Sequence, residues 1–251
     1  MAGRLDGKVA VVTGGGTGIG EATALALAGE GALVAVTGRR VEKLQGLVQR
    51  IEQAGGRALA LQSDVAVEAE ATAAVHDAVE AFGRLDIVVN SAGVNDFGGI
   101  QTLPLESWRK VIDINLMGTI YTCAAAVPHL KAAGGGDIVN ISSTSARRAA
   151  AAFAAYATSK WAVNGFSESL RQEVGGLGIR VCIIEPGATS TDIASSVADE
   201  KARAFMHKHV TKEGAMAASD IADGVVFAVT LPARANVSEM LIRPTIDTAA
   251  M

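Results

Sequence analysis

Short apolar runs alternate with longer alanine-rich segments along the whole chain. The apolar runs, rich in β-branched residues, are typical of strands and cover residues 8–14, 33–38, 57–65, 85–93, 136–143, 179–187 and 239–245. Their hydrophobicity is continuous rather than alternating, which indicates strands that are covered on both faces.

The segments between these runs have apolar residues spaced three and four apart, which predicts helices. They cover residues 20–32, 39–56, 68–83, 105–134, 154–178 and 218–233. Because strand and helix alternate, we expect an α/β fold with one doubly wound parallel sheet of the Rossmann type and helices on both faces. No linker or change in composition divides the chain, so we expect one domain over residues 1–251.

Composition limits the cellular locations and the classes of partner that are expected for the chain. Hydrophobic residues make up 49% of the 251 positions, yet there is no run of about 18 uncharged apolar residues that could span a membrane. The N-terminal sequence lacks the features of a signal peptide, so we expect a cytoplasmic protein. Its net charge is −4 and its basic residues are scattered, which argues against nucleic acid as a partner. Cys123 and Cys182 lie among apolar residues and are interpreted as core residues, and no metal site is expected.

The first strand runs directly into a glycine-rich turn, "TGGGTGIG" at residues 13–20. Glycines here would let backbone N–H groups approach a pyrophosphate, and the N-terminus of the following helix favours negative charge. The alternative is a tight turn that needs only positive φ, but five glycines in seven residues exceed what a turn requires. The turn therefore predicts a dinucleotide-binding site.

Further motifs follow in order along the chain. They are "DV" at residues 64–65, "NSAG" at 90–93, Asn115 in "DINLMG", Ser143 in "NISS", the pair Tyr156 and Lys160, and "PGATST" at 186–191. Together with the glycine turn, these motifs resemble the compact branch of the short-chain dehydrogenase/reductase family over essentially the whole chain. One departure is Ser91, where that family more often has asparagine.

The resemblance implies a nicotinamide dinucleotide cofactor bound at the carboxyl edge of the sheet. The residues that it assigns to cofactor binding are Gly14, Thr17, Gly18, Ile19, Gly20, Arg39, Arg40, Asp64, Val65, Asn90, Ala92, Gly93, Tyr156, Lys160, Pro186, Gly187, Thr189 and Thr191.

Tyr156 and Lys160 are the central chemical pair. On a helix they share a face, and a nearby ammonium group would lower the pKa of the phenol toward neutrality. An isolated pair of this kind would more often be a surface contact. The resemblance implies that Tyr156 transfers the proton, that Lys160 also binds the nicotinamide ribose, that Ser143 holds the substrate oxygen, and that Asn115 anchors a water that relays protons.

The end of the second predicted strand bears on the choice of cofactor. An acidic residue there would bind the ribose 2′-hydroxyl of NAD, whereas this chain has Gly38 followed by Arg39 and Arg40. Arginine suits a 2′-phosphate, so NADP(H) is favoured over NAD(H). The alternative is that both arginines merely open the next helix. Thr17 stands where some NADP-using relatives have a second basic residue.

These observations predict an oxidoreductase that interconverts a carbonyl and an alcohol on a small-molecule substrate, in the direction of carbonyl reduction with NADPH. A weaker similarity is to reductases of the clavulanate-aldehyde type. Two alternatives stay open: an NAD-linked secondary alcohol dehydrogenase, and a redox sensor that binds dinucleotide without turnover. The complete set of Ser143, Tyr156 and Lys160 argues against the sensor.

Residues 190–214 are polar and longer than a typical connection, and they leave the sheet on the side of the predicted site. We expect a mobile helical lid with Thr191 at its base and with Phe205 or Met206 in the substrate pocket; the alternative is a permanently packed helix. The residues expected to face inward are Ala194, Val197, Ala202 and Phe205.

The two long helices at 105–133 and 154–176 have apolar residues around much of their circumference. These residues are Ile112, Leu116, Ile120, Val127, Trp161, Val163, Phe166 and Leu170. Such a surplus of apolar surface predicts burial against another subunit, and the family resemblance implies a homotetramer, with a dimer as the alternative. Arg147 and Arg148 follow Ser143 closely and are interpreted as a solvated loop, with contact to an anionic substrate as the alternative.

Overall fold

The structure is a computed structural model that describes residues 3–197, 199–210 and 214–248. Seven strands form one sheet in the order β3-β2-β1-β4-β5-β6-β7, and every neighbouring pair is parallel. The strands are β1 (Val9–Thr13), β2 (Leu33–Gly38), β3 (Arg57–Gln62), β4 (Ile87–Asn90), β5 (Gly136–Ile141), β6 (Ile179–Pro186) and β7 (Glu239–Ile242). The predicted doubly wound parallel sheet is confirmed.

Helices cover both faces of this sheet. They are α1 (Gly18–Gly29), α2 (Val41–Gln53), α3 (Glu68–Phe82), α4 (Leu105–Ile112), α5 (Gly118–Ala132), α6 (Ala154–Val174), α7 (Glu200–Val210) and α8 (Ala218–Val229). One core cluster joins the sheet to α1, α2 and α8, and a second joins it to α3, α5 and α6. All five residues of β1 are buried, as their continuous hydrophobicity predicted.

Two apolar residues that were expected to be surplus on the long helices belong to the core instead. Leu170 is buried in the core cluster beneath α6 and Val163 is 1% exposed, so neither adds to the exposed apolar surface; the predicted assembly stays a prediction. The two residues lie on the same face of α6, because seven residues make about two helical turns, and that face is turned to the protein interior. Trp161 on the same helix is 53% exposed and remains available to a partner.

The predicted helix at 105–133 is continuous but contains a wide turn. Residues Asp113–Met117 form a π-helical turn between α4 and α5, a feature that the apolar spacing did not predict. The combined helix Leu105–Ala132 is long and apolar enough to cross a membrane by length and composition, but half of its most apolar window is buried inside the fold. The core helix of a soluble protein has the same properties.

The predicted lid is a short 3₁₀ turn, Asp192–Ser196, followed by α7. Ala194, Val197 and Ala202 are buried together, as expected, and Phe97 and Phe153 pack against them. The rings of Phe97 and Phe153 meet edge to face with centroids 5.4 Å apart. The side chains of Phe205 and Met206, expected in the substrate pocket, lie outside the part of the chain that the structure describes.

Candidate active site

A cleft of about 530 Å³ lies at the carboxyl edge of the sheet. Ligands bind at this edge in open parallel sheets because the strand order reverses there and separates the neighbouring loops. Seventeen of the residues predicted from the sequence line it: Gly14, Thr17, Gly18, Ile19, Arg39, Arg40, Asp64, Val65, Ala92, Gly93, Ser143, Tyr156, Lys160, Pro186, Gly187, Thr189 and Thr191.

Three predicted site residues, Gly20, Asn90 and Asn115, lie outside the cleft lining. A Cβ at Gly20 would lie 2.4 Å from the Gly14 carbonyl oxygen, so this glycine allows the turn to pack on its own helix. The Asn90 side chain is buried and donates to Asn140 Oδ1 at 2.8 Å, which links β4 to β5. Both residues support the walls of the cleft.

The glycine turn is held tightly between two loops. Gly14 has φ +66°, and a Cβ there would lie 2.7 Å from the Ala92 Cα. Gly18 has φ +59°, and its Cβ would lie 3.2 Å from the Thr191 Cβ at the base of the lid. Helix α1 begins at Gly18 without a side-chain cap, so its first N–H groups remain for a ligand. This cradle fits the pyrophosphate of a dinucleotide.

Two arginines stand at the end of β2, on the side of the cleft beyond the glycine turn. Arg40 donates to Thr17 Oγ1 at 3.1 Å, which ties it to the turn. Arg39 is 3.8 Å from the Asp64 carboxylate, a loose and largely exposed pair. Gly38 brings no carboxylate to this position, so the local charge is suited to an anion.

Ser143, Tyr156 and Lys160 come together where β5 meets α6, and each is less than a tenth exposed. Ser143 Oγ accepts from the Ser145 N–H at 3.1 Å, which leaves its own proton to donate. The Lys160 ammonium donates to the Ile141 carbonyl at 2.8 Å and lies 5.6 Å from the centre of the Tyr156 ring. The three groups therefore form one compact proton-handling cluster.

The pKa of Tyr156 departs from the expectation. Burial raises the pKa of the phenol, and the hydrogen bond with Ser143 offsets part of that effect. Burial also lowers the pKa of Lys160 to about 8. The expectation that Lys160 brings the Tyr156 pKa toward neutrality is thus wrong for the free protein, because desolvation dominates both groups.

Asn115 sits in the π-helical turn, and its side chain is fully engaged by protein atoms. Its Oδ1 accepts from the Val94 N–H at 2.8 Å, and its Nδ2 donates to the Val94 carbonyl and to Ser159 Oγ, each at 2.9 Å. The amide thus fixes the loop after β4 to helix α6, which carries Tyr156 and Lys160. The predicted water relay through Asn115 stays a prediction.

Arg147 lies in an exposed loop, as predicted, but its guanidinium reaches a buried carboxylate. Its Nε is 3.0 and 2.9 Å from the two carboxylate oxygens of Glu185, which is fully buried, and its guanidinium also pairs with Glu239. Asn164 Nδ2 donates to the same Glu185 at 2.6 Å. The sequence signal for this ion pair was the glutamate inside the apolar strand "VCIIEPG", because a buried carboxylate requires partners.

Beyond Thr191 and the predicted lid as a whole, sequence reasoning named no individual residue for a further part of the cleft lining. Residues Val94, Asn95, Phe153, Ile193 and Ser196 line the cleft there. These positions carry no motif, and only the folded chain brings three separate segments together.

The sequence is similar to known oxidoreductases over most of its length. A family model described as short chain dehydrogenase matches residues 8–202. An uncharacterized oxidoreductase of Staphylococcus aureus (strain USA300) is 35% identical over 96% of this chain and 98% of its own length. The short-chain reductase protein NovJ of Streptomyces niveus is 43% identical over 76% of this chain and 73% of its own. Glycine betaine reductase ATRR of Emericella nidulans is 35% identical over 96% of this chain, but the match spans only 19% of that longer protein.

Solved structures with this fold contain a dinucleotide. A metagenomic short-chain oxidoreductase in complex with NADP is 34% identical, with a TM-score of 0.83, covering 97% of this chain and 100% of the other. A short chain dehydrogenase from Burkholderia cenocepacia J2315 in complex with NADP is 37% identical, with a TM-score of 0.85, covering 96% and 98%.

Proposed function

Because the chain belongs to the short-chain dehydrogenase family of oxidoreductases, we propose that it interconverts a carbonyl and an alcohol with NADP(H), and that Tyr156 transfers the proton. The observation that carries the proposal is the joint position of Ser143, Tyr156 and Lys160 in the same cleft as the glycine turn. A protein that only sensed dinucleotide would have no need for this buried proton-handling cluster.

When bound, the nicotinamide cofactor supplies the hydride for the carbonyl carbon, or accepts it from the alcohol. The glycine turn at the start of α1 would hold its pyrophosphate, with Thr191 beside Gly18 and Thr189 also in the cleft lining. Arg39 and Arg40 would hold a 2′-phosphate. The NADP named for two related structures supports this cofactor.

The protonation state of Tyr156 is compatible with carbonyl reduction. A phenol with a raised pKa is protonated at neutral pH, which is the form that donates a proton to the substrate oxygen as that oxygen gains negative charge. NovJ, named as a short-chain reductase, agrees with this direction.

Ser143 would act on the substrate oxygen, and Lys160 on the phenol oxygen of Tyr156. The Ser143 hydroxyl is held by the Ser145 N–H, so it can donate to the substrate oxygen. With a pKa of about 8, Lys160 is largely protonated at neutral pH and would stabilise the phenolate that forms when Tyr156 gives up its proton.

The proposal is tested by measuring the oxidation of NADPH and NADH with a panel of ketones and aldehydes. We expect turnover with NADPH, and a loss of about 10²- to 10⁴-fold in kcat in Tyr156→Phe, as for other positioned general acids. NADPH binding, measured by fluorescence titration, should be retained because the ring still packs. A Tyr156→Phe enzyme that kept about half of the wild-type kcat, with chemistry rate-limiting, would show that another group donates the proton.

We also propose a cytoplasmic homotetramer, with a small-molecule substrate and without nucleic acid or membrane partners. Several large apolar side chains support assembly because they are exposed: Ile100, Leu105, Trp161, Phe227, Leu241 and Ile246. Light scattering that gave a monomer mass at micromolar concentration would exclude any stable oligomer.

A further inference from the structure

Two residues that line the cleft, Ser63 and Asn95, each have a buried side-chain oxygen with no partner in the described part of the chain. Asn95 lines the cleft and is only 5% exposed, yet its side-chain Oδ1 makes no hydrogen bond. Buried polar atoms are almost always paired, because an unpaired one loses its hydration without compensation. An orphaned atom in a ligand cleft therefore points to a group that a ligand brings.

The position of Asn95 relates this atom to the substrate rather than to the dinucleotide. Two residues earlier, a Cβ at Gly93 would lie 3.7 Å from the Lys160 ammonium. Two residues later, Phe97 packs on Phe153, which precedes the catalytic helix. Asn95 thus lies between the proton-handling cluster and the Phe97–Phe153 pair. Its Cα is at most about 7 Å from those of Gly93 and Phe97, because each is two residues away along the chain.

The backbone of Asn95 is fixed by the lid. Ser196 Oγ accepts from the Asn95 N–H at 2.9 Å and donates to its carbonyl at 2.8 Å. Ser196 belongs to the 3₁₀ turn at the base of the lid and also lines the cleft. Because both backbone groups are satisfied, the side-chain amide is the part of Asn95 left for recognition.

We propose that Asn95 is a specificity-determining residue that hydrogen-bonds a hydroxyl group next to the reacting carbonyl, so that α-hydroxy ketones or aldehydes are the preferred substrate class. This inference rests on the proposed function. A hydroxyl fits because it both donates and accepts: an amide turned by 180° about χ2 would present its NH₂ instead, and the hydroxyl pairs with either.

Matched pairs of ketones test the proposal by turnover. The pairs are α-hydroxyacetophenone against acetophenone, and hydroxyacetone against acetone. Because the hydroxyl also changes the intrinsic reactivity of the carbonyl, the measure is the change in the kcat/KM ratio between wild type and variant. We expect Asn95→Leu to lower the ratio by about tenfold or more, since a site built for a hydrogen bond discriminates strongly against its absence. Asn95→Ala is the second variant, and Asn236→Ala, outside the cleft lining, should leave the ratio unchanged.

A binding measurement reads the same contact without turnover. Mandelamide and phenylacetamide differ by one hydroxyl and are not reduced, so calorimetric titration into the NADPH-saturated enzyme compares their affinities directly. We expect mandelamide to bind about tenfold more tightly to wild type, and the two to bind alike to Asn95→Leu. Where turnover and binding disagree, binding decides.

Two results would overturn the proposal: a wild-type enzyme that binds both amides equally, or Asn95→Leu and Asn95→Ala variants that keep the preference. Failure of the proposed function looks different, because then no ketone in either pair is reduced while the amide titration still reports on Asn95.

Discussion

Replacement of Arg39 by alanine tests the preference for NADP(H) over NAD(H). In the free protein Arg39 makes only a weak ion pair. Its distance to the Asp64 carboxylate is 3.8 Å and its side chain is 60% exposed, and such pairs contribute about 0–1 kcal/mol. A hydrogen bond to a charged group contributes about 1.5–3 kcal/mol. The net loss for NADP(H), the second range less the first, should therefore be about 0.5–3 kcal/mol, or about 2- to 150-fold in Kd.

The effect should be confined to the phosphorylated cofactor. NAD(H) has no 2′-phosphate, so its Kd should change by less than about twofold. Fluorescence titration of NADPH and NADH into wild type and Arg39→Ala gives both values. The matched control is Arg50→Ala, an exposed arginine on α2 that pairs with Glu21 and lies outside the cleft lining. Equal weakening of both cofactors by Arg39→Ala would refute the assignment to the 2′-phosphate.

Gly38→Asp tests the cofactor preference by adding a carboxylate at the end of β2. A Cβ at Gly38 would lie 3.6 Å from Leu44 Cδ2, an ordinary contact, so the variant should fold. The new carboxylate would repel a 2′-phosphate and accept from the 2′-hydroxyl of NAD. We expect weaker NADPH binding and tighter NADH binding; unchanged affinities for both would mean that the end of β2 does not contact the ribose.

Three other predictions concern stability and motion. The Lys160 pKa is lowered from 10.5 to about 8, so at this residue the unfolded chain binds more protons between these pH values, and its contribution to the free energy of unfolding should rise by about 3 kcal/mol as pH increases across them. The pKa values of Cys123 and Cys182, raised to about 12, act in the opposite sense in wild type and in Lys160→Met alike. Denaturant titrations at stepped pH should therefore show the rise in the difference between the two proteins, and a difference that does not change with pH would contradict the assignment. Arg147→Met leaves the buried Glu185 carboxylate with Asn164 and should cost about 2 kcal/mol, less than a fully buried pair because Arg147 is 39% exposed. Its control, Arg171→Met, breaks a surface pair with Glu168 and should leave the free energy of unfolding nearly unchanged, so similar losses in the two variants would argue against the network. For the lid, we expect hydrogen exchange in residues 190–214 to slow when NADPH and a substrate analogue bind, and equal protection with and without ligand would indicate a permanently packed helix.

The sequence by itself determined the fold class and most of the site. Continuous apolar strands alternating with amphipathic helices leave one economical arrangement, a parallel sheet covered on both faces. Glycines at a strand end and the helical spacing of Tyr156 and Lys160 are local features, so reading the chain in order was enough to place them at the carboxyl edge of the sheet.

Only the tertiary structure decided what surrounds these residues. The pKa of Tyr156 depends on how much water the fold removes from it, and spacing along a helix carries no information about desolvation. Arg147 was ambiguous in sequence because its partner Glu185 is 38 residues away. Likewise, the wall formed by Asn95, Phe153 and Ser196 exists because three distant segments pack together, so the part of the cleft that selects a substrate is set by packing between segments rather than by any local pattern.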